Sequence, residues 1–414
     1  MIMSAALSLS QILTAYALPG IGPGLQNLAP SDPYSIYQWG FKNNGGLSLN
    51  TADLRRESLN ELYQSYVDWY RSRGFGIPPR NVEPGDIEIR QIRAVEGMDM
   101  NVAPAFELYE QSASGETAQE RRDVVVAIID TGVDTSHPDL KDALWVNTGE
   151  IPGDGIDNDG NGYIDDVYGY DFYAGKPLSE TVSSEELHGT HAAGTIAAAY
   201  GNGGITGLTD NAHVKIMVLK ALGGQGTGSE ESVSEAIRYA EANGADICNL
   251  SIGSTRYMPQ LEQQMTNSAM LFVVAAGNGD VRGIGYNTDQ YPVYPASFSS
   301  DNIISVANLM FDGTLDRSSN YGPESVDIAA PGSYVLSTAP GGTYEFLTGT
   351  SMAAPMVTGV CAMVYSYRTD LGLLKVKEAV LETSRKLDNL NGMVKSGGIP
   401  DLYAAMQYGQ DPAE

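Results

Sequence analysis

The stretch from Val124 to Gly132 reads Val-Val-Val-Ala-Ile-Ile-Asp-Thr-Gly, an apolar run that ends at Asp130. Continuous apolar character is typical of a strand buried on both faces, as in a parallel sheet. Gly132 permits a tight turn that would expose the Asp130 carboxylate at the end of the strand. Capping of that turn is the simplest role for such an aspartate, and catalysis is the alternative.

Further apolar runs follow and are separated by helical patterns, such as the one from Ser232 to Asn243. These runs cover residues 214–219, 246–252, 271–276 and 303–307. Buried strands alternating with helices predict a doubly wound α/β fold, with a mainly parallel central sheet and helices on both faces. In such a sheet the functional groups gather at the carboxyl ends of the strands.

Two regions lie outside this alternation of strand and helix patterns. Residues 1–31 are interpreted as an N-terminal leader or arm, either a truncated signal or a pro-segment, and residues 32–410 as the main domain. Ala15-Tyr16-Ala17 has the small-residue spacing of a signal cleavage site, although no basic residues precede it. We therefore expect secretion, with a cytoplasmic protein as the alternative. Residues 46–97 form an insertion, in which residues 59–70 follow the spacing of an amphipathic helix.

Composition excludes several function classes. The 24 basic and 51 acidic side chains give a formal charge of −27, which repels nucleic acid. No apolar run reaches the roughly 20 residues that span a bilayer. Cys248 and Cys361 lie in apolar runs and are predicted to be core residues. We expect a monomer that binds no organic cofactor.

The Asp-Thr-Gly sequence at Asp130 also marks aspartic peptidases. That chemistry needs two carboxylates that share a proton. No second Asp-Thr-Gly and no Asp-Ser-Gly occurs in the 414 residues, so a chain of this kind would need a homodimer to complete the pair.

His188 begins a second notable segment, His-Gly-Thr-His-Ala-Ala-Gly, which has the small residues of a closely packed helix. His188 and His191 have a spacing that could hold zinc, but no Glu or thiolate accompanies them. His191 is better interpreted as a hydrogen-bonded helix residue.

Ser351 lies in Gly-Thr-Ser-Met-Ala-Ala-Pro, where Thr350 is predicted to cap a helix whose first turn holds the serine. The Ser351 hydroxyl and N–H would then lie at the positive end of the helix dipole, which suits an oxyanion. A plain helix cap is the alternative. Asn278 follows another apolar strand, where its amide could donate to a developing negative oxygen, or simply form a turn with Gly279.

Taken together, these motifs resemble the subtilisin-like serine peptidases, or subtilases. The resemblance is carried by Ile-Ile-Asp-Thr-Gly-Val-Asp, by the His188 and Ser351 segments, and by Ser-His-Pro-Asp-Leu at 136–140. It implies a serine endopeptidase in which Asp130, His188 and Ser351 form the triad and Asn278 helps to bind the oxyanion. A peptide ligase or cyclase that uses the same acyl-enzyme is an alternative, and an inactive, calcium-stabilised binding protein is another.

The resemblance also implies where a protein or peptide substrate binds. Two glycine-containing edges would pair with an extended substrate, and an apolar pocket would hold the side chain before the scissile bond. The predicted substrate-binding residues are Gly226, Gly228, Ser251, Ile252, Gly253, Ala275, Ala276, Gly277 and Val293. Because Val293 would form the pocket floor with a branched side chain, we expect Leu or Met to be preferred over Phe or Tyr.

An acidic loop suggests structural calcium. From Asp154 to Asp166 oxygen-bearing side chains alternate around a turn glycine, as in the first half of an EF-hand loop, although the closing Glu is missing. The predicted ligands are Asp157, Asp159, Asn161, Asp165 and Asp166. A solvated acidic turn is the alternative. The resemblance implies a second calcium site at Asp32, Asp139 and Asn202.

Overall fold

The computed structural model describes residues 2–4, 32, 34–46, 48–50, 91–112, 119–178, 186–280 and 282–410. The expected helix at 59–70 and the Ala15-Tyr16-Ala17 segment lie outside these residues, as does most of the 46–97 insertion. The edges of that insertion, β2 (Ser48–Asn50) and β3 (Gln91–Arg93), pair in antiparallel fashion.

A mainly parallel sheet of eight strands forms the centre of the described structure, which confirms the predicted fold class. Its strands are β4 (Val124–Asp130), β5 (Gly169–Asp171), β6 (Lys176–Pro177), β7 (Val214–Lys220), β9 (Ile247–Leu250), β11 (Leu271–Ala275), β12 (Ile303–Leu309) and β13 (Ile328–Pro331). They lie in the order β13-β12-β11-β9-β4-β7-β5-β6, and the β5–β6 pair is antiparallel.

Successive side chains of β4, an interior strand of the sheet, pack into different hydrophobic cores. Val126 and Ile128 pack into one hydrophobic core, whereas Ala127 and Ile129 pack into another on the opposite face. Both faces of the strand are therefore covered, as the continuous apolar sequence indicated.

Helices cover both faces of the sheet. They are α1 (Val102–Ser112), α2 (Leu187–Ala197), α3 (Glu230–Ala242), α4 (Pro259–Asn267), α5 (Thr350–Tyr367), α6 (Leu373–Glu382) and α7 (Leu402–Met406). Residues of α3 and α4 join the core that contains Ala127, and those of the other helices join the core that contains Val126. Cys248 and Cys361 are buried in these two cores, one on each side of the sheet.

Short strands complete the described structure. The pairs are β14 (Val335–Ala339) with β15 (Thr343–Leu347), and β16 (Arg385–Lys386) with β17 (Gly398–Ile399). A separate three-stranded sheet contains β1 (Ile2–Ser4), β8 (Thr227–Gly228) and β10 (Ile252–Gly253). The apolar run 246–252 thus divides at Ser251, where the chain leaves the central sheet.

None of the helices in the described ranges is both long enough and apolar enough to cross a membrane.

Candidate active site

Asp130 is the last residue of β4, and its carboxylate is buried at the carboxyl end of the sheet. Its oxygens lie 2.7 and 2.8 Å from Nδ1 of His188. The N–H of Thr131 donates to Asp130 Oδ1 at 2.6 Å. A carboxylate oxygen accepts hydrogen bonds, so Nδ1 of His188 is the donor in this contact.

Two glycines allow α2 to approach Asp130 this closely. Gly132 turns the chain with φ of +100°. A Cβ on Gly189 would lie 2.2 Å from the Gly132 carbonyl oxygen, a distance that no side chain tolerates. The N–H of Gly189 also donates to Thr131 Oγ1 at 3.2 Å. The small residues beside His188 therefore bring the first turn of α2 against the end of β4.

Ser351 is the second residue of α5, and its side chain is buried. Its hydroxyl donates to the Ser251 carbonyl oxygen at 3.4 Å, and the Ser251 hydroxyl donates to the Ser351 carbonyl oxygen at 3.0 Å. The start of α5 is thereby fixed beside β10. Because α5 also packs against α2, the helices that carry Ser351 and His188 are neighbours.

Thr350 does not cap α5 as the sequence suggested, because Gly349 is at the N-cap position and Thr350 is already helical. The Thr350 hydroxyl instead donates to Asn278 Oδ1 at 3.0 Å and accepts the Gly277 N–H at 3.1 Å. The Thr350 N–H also donates to Asn278 Oδ1, at 2.8 Å.

These bonds fix the direction of the Asn278 amide. Since Oδ1 is held by Thr350, the donor group Nδ2 occupies the other end of the amide, and it lies 3.1 Å from a Cβ built on Gly349, the N-cap residue of α5. The structure therefore places an amide donor next to the start of α5, where Ser351 lies.

His191 has a different environment from His188. It is buried, and its Nε2 donates to the carbonyl oxygens of Val335 and Glu345 at 3.0 and 3.2 Å. Burial lowers the pKa of His191 to about 3, so the ring stays neutral near pH 7. These bonds match the interpretation of His191 as a hydrogen-bonded helix residue, and they join α2 to the β14–β15 hairpin.

The two expected substrate-binding edges face each other across β1. Met3 pairs with Thr227 of β8 and with Gly253 of β10, and both pairings are antiparallel. Ile2 is opposite Gly228, and Ser4 is opposite Ile252. An extended chain therefore fits between these edges, and part of this chain lies there.

The residues of the expected side-chain pocket also come together. Ala275 ends β11, and Ala276 and Gly277 follow it as buried residues. Val293 is buried, and its Cγ1 lies 3.1 Å from a Cβ built on Gly253 and 3.6 Å from one built on Gly277. Val293 thus lies between the two expected walls.

The acidic loop brings three carboxylates together. Oxygen atoms of Glu150, Asp159 and Asp166 all lie within 4.8 Å of one another. Asn161 Nδ2 donates to Asp159 at 3.2 Å and to Asp166 at 2.9 Å, so its amide nitrogen faces the cluster, while its oxygen accepts the Tyr163 N–H at 2.8 Å. The sequence pattern missed Glu150 because this residue precedes the EF-hand-like spacing.

The other two expected ligands of this loop point elsewhere. Asp157 is exposed and accepts the N–H groups of Gly162, Gly160 and Asn161, which lower its pKa. Asp165 accepts N–H groups from residues 153–155. Both side chains shape the turns of the loop and lie outside the carboxylate cluster.

Asp32, Asp139 and Asn202 meet at one loop. Asp32 accepts the N–H groups of Gly201 and Gly203 at 2.7 and 2.9 Å. Asp139 accepts the Asn202 amide at 2.9 Å. Both carboxylates are buried, so residues far apart in sequence are brought to the same place.

Comparison with known proteins gives a consistent result. Residues 121–399 match the model of the subtilase family. The chain is 35% identical over 293 residues to the major intracellular serine protease of Bacillus subtilis (strain 168), which covers 68% of this chain and 81% of that protein. It is 34% identical over 291 residues to the M-protease of Shouchella clausii (strain KSM-K16), with 68% and 64% covered. Subtilisin-like protease 1 of Plasmodium falciparum (isolate 3D7) is 32% identical over 303 residues, with 68% and 43% covered.

Proposed function

The chain belongs to the subtilase family and is a serine peptidase, and from that premise we propose that it hydrolyses internal peptide bonds with Asp130, His188 and Ser351 as its triad. The observation that carries this assignment is the contact of both Asp130 oxygens with His188 Nδ1, at 2.7 and 2.8 Å. This contact selects the tautomer whose Nε2 can accept a proton.

The reaction then follows from the chemistry of these groups. His188 Nε2 takes the proton from Ser351 Oγ as the oxygen attacks the substrate carbonyl carbon, and Asp130 stabilises the imidazolium. The imidazolium gives the proton to the departing amine, which leaves an acyl group on Ser351. Water, deprotonated by His188, releases the acyl group and restores the hydroxyl.

The negative oxygen of the tetrahedral intermediate needs hydrogen-bond donors. We propose the Asn278 amide and the Ser351 N–H, because Thr350 holds Asn278 Oδ1 and so directs Nδ2 toward the start of α5. A donor of this kind contributes about 2.7–4 kcal/mol to the stability of the transition state.

The substrate is proposed to bind as an extended strand between β8 and β10. The antiparallel pairing of β1 with both strands supports this mode of binding, since main-chain hydrogen bonds make it independent of most side chains. The pocket formed by Ala275, Gly277, Gly253 and Val293 has no charged group among these residues. A charged side chain would lose its hydration there, so we propose a preference for apolar residues.

The triad is tested by replacing Ser351. The Ser351→Ala variant should fold and lose turnover by several orders of magnitude, because the three groups act as a unit. A fluorophosphonate should label the wild type at Ser351 only. Ser366→Ala, at the other end of α5, is the matched control and should keep both activity and labelling. Equal labelling of wild type and Ser351→Ala would show that another residue is the nucleophile.

We also propose that the cluster of Glu150, Asp159 and Asp166, with Asn161, binds a structural calcium ion. The donor set fits, because carboxylate oxygens are ligands of hard cations and the three carboxylates converge within 4.8 Å. Asp32, Asp139 and Asn202 are proposed for a second ion because these side chains meet at one loop and both carboxylates are buried. Bound calcium would offset the mutual repulsion of these carboxylates.

Calcium should then stabilise the folded state without changing the chemistry. At 100 times the dissociation constant a ligand of the native state adds about 2.7 kcal/mol to the free energy of unfolding. The Glu150→Gln/Asp159→Asn variant should show a smaller rise in melting temperature with calcium than the wild type. Asp157→Asn, outside the cluster, should keep the full rise. Equal melting of the wild type in calcium and in chelator would contradict both sites.

Within the leader or arm of residues 1–31, residues 1–17 are proposed to be an export leader that is cleaved after Ala17. Such cleavage would release the protein and, in the same step, remove Ile2–Ser4 from between β8 and β10. Mass spectrometry of the protein in the medium should then find an N-terminus at Leu18. A protein that stays in the cell and keeps Ile2 would contradict export and favour a cytoplasmic enzyme.

A further inference from the structure

An ion pair between Lys220 and Glu186 lies beside the proposed triad and takes no part in the steps above. Lys220 Nζ is 2.7 Å from Glu186 Oε1, and only 12% of each side chain is exposed. Both charged groups of a buried ion pair lose hydration, and this cost offsets their attraction, so the pair adds little net stability to a fold. Its position relative to the reacting groups is therefore what distinguishes it.

Lys220 is tied to the strand that carries Asp130. It is the last residue of β7, and its Cα is the register partner of Asp130 at the end of β4. The next two N–H groups, of Ala221 and Leu222, donate to the Asp130 carbonyl oxygen at 3.0 and 3.1 Å. The main chain of Lys220 therefore cannot move without moving Asp130.

Glu186 is tied to the helix that carries His188. It is the N-cap residue of α2, two positions before His188. A Cβ built on Gly132 would lie 3.0 Å from Glu186 Cγ and 3.2 Å from Lys220 Cδ, so both side chains pack against the turn that follows Asp130. The ion pair thus joins the start of α2 to the ends of β4 and β7.

We propose that Lys220 and Glu186 are positioning residues, whose ion pair holds the first turn of α2 so that His188 keeps its orientation between Asp130 and Ser351. This inference rests on the proposed function. Glu186 and His188 belong to the same turn, so a shift of the helix start moves the imidazole. A misplacement of about 1 Å at a reacting group can lower the rate roughly 100-fold.

The charges of Lys220 and Glu186 should also affect the pH dependence of kcat/KM, which a purely structural role would leave unchanged. The elements around His188 carry these charged or titratable side chains: Asp130 and Asp134 on β4 and the turn after it, Glu186 and His191 on α2, Lys220 on β7, and Asp171 on β5. With Lys220 and Glu186 both present, their opposite charges largely cancel at the imidazole. Removing one partner leaves the charge of the other no longer balanced within the pair.

The experiment measures kcat, KM and the pH dependence of kcat/KM for Lys220→Met, Glu186→Gln and the double variant of the full chain. Each single change should lower kcat by about 10- to 100-fold, with a smaller effect on KM. Lys220→Met leaves the Glu186 carboxylate, which stabilises the His188 imidazolium, so the acid limb of the pH profile of kcat/KM should move to higher pH. Glu186→Gln leaves an ammonium group, so the limb should move to lower pH, and shifts of about 0.3–1 pH unit are expected.

The double variant, a conservative variant and two control variants sharpen this test. The double variant should keep the wild-type acid limb, because neither charge remains, yet show the lower kcat, because the tie is lost. Lys220→Arg should recover most of the activity. Lys375→Met and Glu378→Gln remove an exposed ion pair on α6, with 60% and 43% of the side chains exposed, and should change neither kcat nor the pH profile.

Wild-type kcat in the double variant would overturn the proposal. So would a loss of activity in both single variants that follows their melting temperatures while the acid limb stays in place. If a single variant does not fold, the double variant decides by the same kcat criterion, since it has no unpaired charge. Failure of the proposed function would be seen separately, as wild-type turnover that survives Ser351→Ala.

Discussion

At the scale of single residues, the geometry around Asn278 depends on Thr350. The Thr350 N–H and hydroxyl both donate to Asn278 Oδ1, so the amide cannot turn over without breaking two hydrogen bonds. A donor fixed before the reaction needs no reorganisation when charge develops on the substrate oxygen. The unusual use of Thr350, away from its own helix cap, is thus accounted for by the proposed oxyanion site.

Asn278→Ala should therefore lower kcat by about 100- to 1000-fold, the range measured for such a donor in a subtilisin, with little change in KM. Thr350→Val removes the hydroxyl but keeps the N–H, so its kcat should fall less. Both are measured by steady-state hydrolysis of a peptide substrate. Asn44→Ala, where the side chain accepts the Gly46 N–H in an exposed turn, is the control and should leave kcat unchanged.

Val293 should determine which apolar side chain the pocket accepts. Its Cγ1 lies between the positions of Gly253 and Gly277, so replacing it with Gly opens the space between the two walls. Val293→Gly should shift the ratio of kcat/KM toward Phe and Tyr over Leu and Met, since a small change in apolar fit is worth about 1–3 kcal/mol. Matched peptides that differ only in the residue before the scissile bond measure this ratio.

The proposed role of Val293 also predicts that the wild type cleaves after Leu or Met better than after Phe or Tyr. If the unmodified enzyme already cleaves after Phe or Tyr better than after Leu or Met, the Val293 side chain does not limit the pocket. An unchanged ratio in Val293→Gly leads to the same conclusion, and the pocket floor would then lie elsewhere.

At the scale of elements, the parts of the fold that follow from local pattern could be predicted. The run at 124–129 became β4, extended by one residue to Asp130, and the helical pattern at 232–243 became α3 at Glu230–Ala242. Hydrophobic period and turn residues suffice for such elements because each buries a continuous apolar stripe or run. The same patterns located His188 and Ser351 at helix starts.

Features that depend on contacts between distant segments could not be predicted in this way. Glu150 joins Asp159 and Asp166 only because the loop folds back, and the Lys220–Glu186 pair spans 34 positions. The pairing of β1 with β8 and β10 has no local signal, since a three-residue strand is specified by the partners on either side of it. Tertiary contact decides these features.

Strand β1 should compete with substrate, because it pairs with both edges of the proposed cleft. A variant that lacks residues 1–8 should have a lower KM than the full chain, with little change in kcat. The synthetic peptide Met-Ile-Met-Ser-Ala-Ala-Leu-Ser, added to that variant, should inhibit competitively, since it restores the same main-chain pairing. Steady-state kinetics at several peptide concentrations measure both effects.

A peptide of the same composition in scrambled order is the control for nonspecific binding, and should inhibit less if the side chains of residues 2–4 add specificity to the pairing. Equal KM values for the full chain and the shortened variant, with no inhibition by the peptide, would show that β1 does not occupy the cleft in solution.

At the scale of the whole molecule, stability depends on titratable groups held in the interior. Burial raises the pKa of the Asp246 and Asp327 carboxyl groups, and it lowers the pKa of His191. The net charge of −27 adds a general repulsion that weakens as carboxylates are protonated. As the pH falls, these groups change the free energy of unfolding in opposite directions. The contribution of one residue is therefore best measured as the difference in free energy of unfolding between two proteins that differ at that residue.

His191 should make the fold less stable as the pH falls below its ordinary pKa of 6.5. In the folded protein burial lowers that pKa to about 3, so between these values the unfolded chain binds a proton that the folded protein does not. Unfolding is then favoured by about 1.4 kcal/mol for each unit of pH, or about 2 kcal/mol between pH 6.5 and 5. The measurement is urea unfolding of Ser351→Ala and of Ser351→Ala/His191→Gln, because the Ser351→Ala background prevents self-digestion. The difference between their free energies of unfolding should shrink by about 2 kcal/mol between pH 6.5 and 5 and should be constant above pH 7.5. A difference that stays constant down to pH 5 would show that His191 is protonated in the folded protein, because the contributions of Asp246, Asp327 and the net charge are common to both proteins and cancel.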